Sequence, residues 1–88
     1  MAKNIKVAMI VAAGKALEYI KKNPNADIEE TIKHIMKIIK AEKNMKRAAI
    51  AAVNFALKLK EKNPNTSDKK IMQQIMNNMN DILSSAEE

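Results

Sequence analysis

The chain has 88 residues, 47% of them hydrophobic, and its 16 Lys and Arg outweigh its 10 Asp and Glu for a formal net charge of +6. That apolar share excludes an unfolded chain, and the length suits a single small domain spanning residues 1–88. The absence of cysteine excludes a disulfide framework, a thiolate metal site and a thiol nucleophile, so the cytoplasm is the expected location.

The first expected element is a helix over about residues 4–22, with Asn4 as its N-cap. Its start, Lys3 and Lys6 followed by the apolar run from Val7 to Ala13, imitates a secretory leader. The same pattern recurs from Arg47 to Ala56 in mid-chain, so it is read as a structural helix. Pro24 ends this element, because proline lacks the donor and disfavours helical geometry in the residue before it. A second helix over 27–40 starts at Asp27, whose spacing to Glu30 is that of a capping box. A third over 44–62 starts at Asn44 and ends before Pro64; a fourth over 67–84 is capped by Ser67. No stretch approaches the roughly twenty apolar residues of a membrane span.

Shifting the sequence by forty residues aligns its halves, 3–40 on 43–80, without a gap. Lys22-Asn23-Pro24-Asn25 falls on Lys62-Asn63-Pro64-Asn65, and Ala8, Ala12 and Ala16 fall on Ala48, Ala52 and Ala56. Such a repeat fixes an architecture. The expected fold is all-α: a four-helix domain of two tandem helical hairpins related by a pseudo-two-fold axis. Alanines at four-residue spacing permit close backbone approach, so helices 1 and 3 are placed against each other at the centre. The stripe of Ile28, Ile32, Ile35 and Ile39 does not continue in phase into Met45, Ala49 and Ala52, which predicts a turn over 41–44. Were that turn to straighten, the hairpins would exchange between two chains as a domain-swapped dimer.

Few residues suggest chemistry. Met72, Met76 and Met79 share a helical face and could ligate copper(I), but their alignment with Ile32, Met36 and Ile39 favours core. His34 follows Glu30 by four residues, the spacing of an oriented imidazole, yet its repeat partner is Gln74 and no nucleophile accompanies it. No catalytic residue, metal or cofactor is expected. The densest basic stretch is Lys33, Lys37, Lys40, Lys43, Lys46 and Arg47, a ridge that phosphates would bind through counterion release. It lacks interleaved aromatics and has one Arg, so a solvated face is the plainer reading.

The copies differ where function is most legible. Val7, Val11, Ile20, Ile28 and Ile38 fall on Arg47, Ala51, Lys60, Asp68 and Asn78, while Lys15 falls on Phe55. Val7, Val11, Ile20, Ile28, Ile38 and Phe55 are therefore the candidate partner interface, with core packing an even alternative. The leading expectation is a non-enzymatic module acting through protein–protein contacts or self-association. The alternatives are nucleic-acid or other polyanion binding through the basic ridge, and a designed helical bundle with no biochemical function. The high Asn content favours a natural origin over a designed one.

The run Lys15-Ala16-Leu17-Glu18-Tyr19, followed by Asn23-Pro24-Asn25-Ala26, resembles the junction between tetratricopeptide repeats. The likeness covers only those residues. The period here is forty, not that family's thirty-four, and its Trp, Gly and Tyr pattern is missing, so peptide binding is not carried over.

Overall fold

The computed structural model describes residues 5–39 and 43–87, and among them every regular element is a helix. These are α1 (Ile5–Lys22), α2 (Ile28–Ile38), α3 (Lys43–Lys62), α4 (Asp68–Asn77) and α5 (Met79–Glu87). None is long and apolar enough to cross a membrane. The radius of gyration of 12.0 Å matches the ~12 Å expected of a close-packed chain of this length.

The two proline turns are built alike. Asn23 donates its amide to the Tyr19 carbonyl at 2.8 Å, closing α1, and its carbonyl accepts from Ala26 at 2.9 Å. Asn63 and Thr66 repeat the pattern after α3, each bond 2.9 Å, with Leu59 and Asn63 as acceptors. Proline therefore occupies the second position of a four-residue turn, where its fixed φ suits the geometry and its missing N–H is not needed. Asp27 then caps α2, its carboxylate accepting from the Glu30 amide at 2.7 Å, and the Ser67 hydroxyl accepts from the Lys70 amide at 3.2 Å to cap α4. Asn4 lies outside the described residues. Asn44 lies one residue inside α3 and so does not precede it as a cap.

Two boundaries depart from the sequence reading. Residues 67–84 do not form one helix: the chain breaks at Asn78, with φ −111° and ψ 18°. The Asn78 amide donates to both Gln74 and Ile75 carbonyls, and its side-chain Nδ2 also donates to Gln74 O at 2.8 Å. An Asn side chain that competes for the helix's own carbonyls favours such a break. The bend turns α5 onto α3, its main contact. The second departure is that α2 stops at Ile38. Ile39 is extended, φ −87° and ψ 115°, so α2 does not run straight into α3. Of the turn expected over 41–44, residues 41 and 42 lie outside the described residues, as does residue 40, and Lys43 and Asn44 belong to α3 instead.

The core forms around α1 and α3, whose mutual contact is the most extensive in the fold, and α2 and α4 each touch both. Ala12, Ala16, Ala48, Ala52 and Ala56 are buried, as the alanine spacing predicts; Ala8 is half-buried. One apolar cluster joins Met9, Ala13 and Leu17 to Ala52, Ile71, Ile75 and Ile82, and a second joins Ala12 and Ala16 to Ile35, Val53 and Leu57. The buried polar residue Thr31 donates its hydroxyl to the Asp27 carbonyl at 2.8 Å, so its burial leaves no polar atom unpaired.

The methionine face is core only in part. Met79 is buried and Met72 is half-buried, but Met76 is 58% exposed. The inward line of α4 runs through Ile71 and Ile75 and passes to Met79, leaving Met76 about 100° off it.

Candidate functional site

The six candidate interface residues fall into three groups. The first is Ile20 with Ile28. Ile20 and Ile28 are half-buried and both pack on the second core cluster. Forty residues on, Lys60 and Asp68 form an ion pair at 3.3 Å, and the Lys60 ammonium also donates to the Thr66 carbonyl at 2.9 Å. The two positions are apolar and share one cluster at 20 and 28, and form an ion pair at 60 and 68. Sequence reasoning took each position singly and missed this. The signal was available: two apolar residues replaced by opposite charges on the two sides of the same turn.

The second group is Phe55 alone, half-buried against the first cluster. With Ala51, Asn54 and Lys58 it lines a groove of about 310 Å³ whose other wall is Asp81, Ile82 and Ser85 of α5. Its difference from Lys15 follows from that cover.

The third group is exposed. Val7 and Val11 on α1 are 51% and 43% exposed, and Ile38 at the end of α2 is 44% exposed. Val7, Val11, Lys15 and Tyr19 lie at four-residue spacing and make one ridge of α1. Met9, Ala12, Ala13, Ala16 and Leu17 occupy the buried side. Within this exposed area Gly14 faces open space, since a Cβ added there would meet nothing within 4 Å.

Tyr19 joins this ridge to α2. Its ring stacks on His34 with centroids 4.2 Å apart and planes 23° from parallel, and its hydroxyl donates to the Glu30 carboxylate at 3.3 Å. The expected Glu30–His34 spacing is thus bridged by a residue from the neighbouring helix. Partial burial, then the Glu30 charge and hydrogen bond, raise the Tyr19 phenol above its usual 10.0. The stack also fixes which flank of α2 meets the ridge. Ile38 lies one turn beyond His34 on α2 and is exposed.

Of the basic ridge, Lys33 and Lys37 are exposed on α2, and Lys43, Lys46 and Arg47 are exposed at the start of α3. Lys40 lies outside the described residues. Lys33 lies 3.7 Å from Glu29, an i,i+4 pair in which both side chains are solvated and which contributes little stability. Among the described residues, no group of three or more His, Cys, Asp or Glu is placed to hold a metal ion.

Comparison of the chain with protein families, curated proteins and solved structures finds no match in any of the three. The local likeness to a tetratricopeptide junction is thus not accompanied by a family match.

Proposed function

We propose that this chain is a small non-enzymatic, cytoplasmic interaction module. It is one helical domain of two tandem hairpins, related by the forty-residue repeat about a pseudo-two-fold axis, and it acts through protein–protein contact. Matching turn bonds at Asn23 and Asn63 and matching caps at Asp27 and Ser67 support the tandem arrangement. The observation that carries the functional reading is the exposure of Val7 and Val11, large apolar side chains one turn apart on α1, together with that of Ile38 at the end of α2. Their repeat partners Arg47, Ala51 and Asn78 are charged, small or polar, so at these three positions the first half is apolar where the second is not. Adjoining exposed apolar side chains are a common mark of a contact surface.

Two measurements test this. Sedimentation equilibrium over a wide concentration range reads self-association. A photoreactive benzophenone side chain at position 11, compared with one at the exposed Lys69, reads hetero-association in cells that express the chain. A monomer at all concentrations, with no adducts at position 11 beyond those at position 69, sinks the reading.

The exposure of Lys33, Lys37, Lys43, Lys46 and Arg47 supports a second reading, polyanion binding. It requires association with a duplex oligonucleotide that weakens steeply with salt. Charge-neutral substitutions at these positions should then reduce both affinity and salt dependence.

A further inference from the structure

The two halves of the chain differ in what lies over their central helices. On α3, the ridge that mirrors Val7–Val11–Lys15–Tyr19 is Arg47–Ala51–Phe55–Leu59. Helix α5 packs along it: Ile82 faces Ala51 and Phe55 across the groove, and Asp81 shares that groove with Lys58. The residues forty positions before α5 run from Ile39 to Arg47; Ile39 is extended and Lys43 to Arg47 open α3, so among the described residues no separate helix of the first half corresponds to α5. Its ridge keeps Val7 and Val11 half-exposed, with Gly14 open beside them.

The geometry points to a docking face for an amphipathic helix with acidic flanks, contributed by a different protein and laid along α1 in the position α5 holds on α3. This deepens the interaction reading above and rests on it. Three features specify the occupant. The ridge is apolar in its first two turns and small at Gly14, which suits the contact stripe of a helix. The charges carried by α1 are Lys6, Lys15, Lys21 and Lys22 against Glu18 alone, all of them exposed. A second copy seated through the same ridge would set these lysines against lysines, whereas acidic flanks complement them. Finally, α5 supplies an internal precedent, since it presents Asp81 and Ile82 side by side to its groove.

The test uses the whole chain and a fluorescently labelled synthetic helix of alternating Ala and Leu contact positions flanked by Glu, with a Lys-flanked version as comparison. Fluorescence anisotropy should show the Glu-flanked probe binding at least about tenfold more tightly than the Lys-flanked one, and weakening as salt rises from about 50 to about 300 mM. Val11→Lys should reduce binding about tenfold or more with the helical circular dichroism intact. The double charge reversal Lys15→Glu/Lys22→Glu, at two exposed positions, should do the same without touching the apolar stripe. Lys69→Glu, away from the ridge, should leave binding unchanged. Equal binding of both probes, indifference to Val11→Lys, or a concentration-dependent dimer lost on Val11→Lys would overturn the assignment. If no probe binds while the adducts at position 11 persist, the acidic-helix assignment falls and the interaction reading survives. If the adducts are also absent, both fall.

Discussion

The contact between α1 and α3 makes a sharp demand on Ala52. Its side chain is fully buried in the cluster that joins Ala48 and Ala56 to Met9 and Ala13 of α1 and to Ile71 and Ile75 of α4. Replacing it with Leu adds an isopropyl group where α1 and α4 both press on α3. Overpacking of this kind costs roughly 1–3 kcal/mol. Leu and Ala differ little in helix propensity, so the loss reports packing and not a weakened helix. For a domain of this size each kcal/mol lowers the melting temperature by about 4–8 °C, giving an expected fall of about 4–24 °C. The neighbouring Ala51→Leu is the internal control. Ala51 is half-buried and opens on the groove of about 310 Å³ under α5, so the larger side chain enters existing space. That variant should match the unmodified chain or gain up to about 1 kcal/mol from the added buried carbons. Thermal and urea unfolding followed by far-ultraviolet circular dichroism reads both. An Ala52→Leu protein as stable as the original, or equal losses at positions 51 and 52, would refute the central placement of α1 against α3.

Three further outcomes are expected. In a double-mutant cycle of Lys60→Ala and Asp68→Ala, the double variant should lose less than the sum of the singles by about 0.2–1 kcal/mol, the range for a solvent-screened pair. Strict additivity in urea unfolding would show that the ionic contact does not couple the two positions. Asp27→Ala should destabilise the fold by about 0.5–2 kcal/mol through loss of the bond to the Glu30 amide, and Asp27→Ser should recover most of that; equal losses in both would remove the cap as the cause. The phenol of Tyr19, the sole tyrosine, should titrate above 10.0, and Glu30→Gln should move its midpoint back toward that value. The raised value means that the folded chain holds the phenolic proton longer than the unfolded chain does. The associated stability is therefore complete below pH 10.0 and is lost as pH rises through the folded value. A phenolate absorbance titration indifferent to Glu30→Gln would refute the interaction between α1 and α2 at this point.

Much of the local structure was legible in the sequence because its causes are local. Pro24 and Pro64 end helices whatever surrounds them, and Asp27 and Ser67 can cap only the helices that follow them. The single-face spacing of Ile71, Ile75 and Ile82 marks a core-facing line without reference to any neighbour. Asn78 was the exception: asparagine is common in this chain, and nothing in its immediate sequence sets it apart from Asn77 or Asn80 as the residue at which the helix breaks.

The composition and the helical periodicity by themselves determined an all-helical chain, and the alanine spacing placed α1 and α3 where close approach is permitted. Only the tertiary structure decided what the differences between the copies mean. Positions 20 and 28 pack on one cluster, and positions 60 and 68 meet as an ion pair, so the four residues are read together and not singly. Helix α5 folds back on α3, so Phe55 has a cover there, while Val7 and Val11 on α1 remain half-exposed. Residue spacing along one helix is set by backbone geometry and can be read from the chain. Which helix lies over which ridge depends on contacts between residues distant in sequence, and those exist only once the chain has folded.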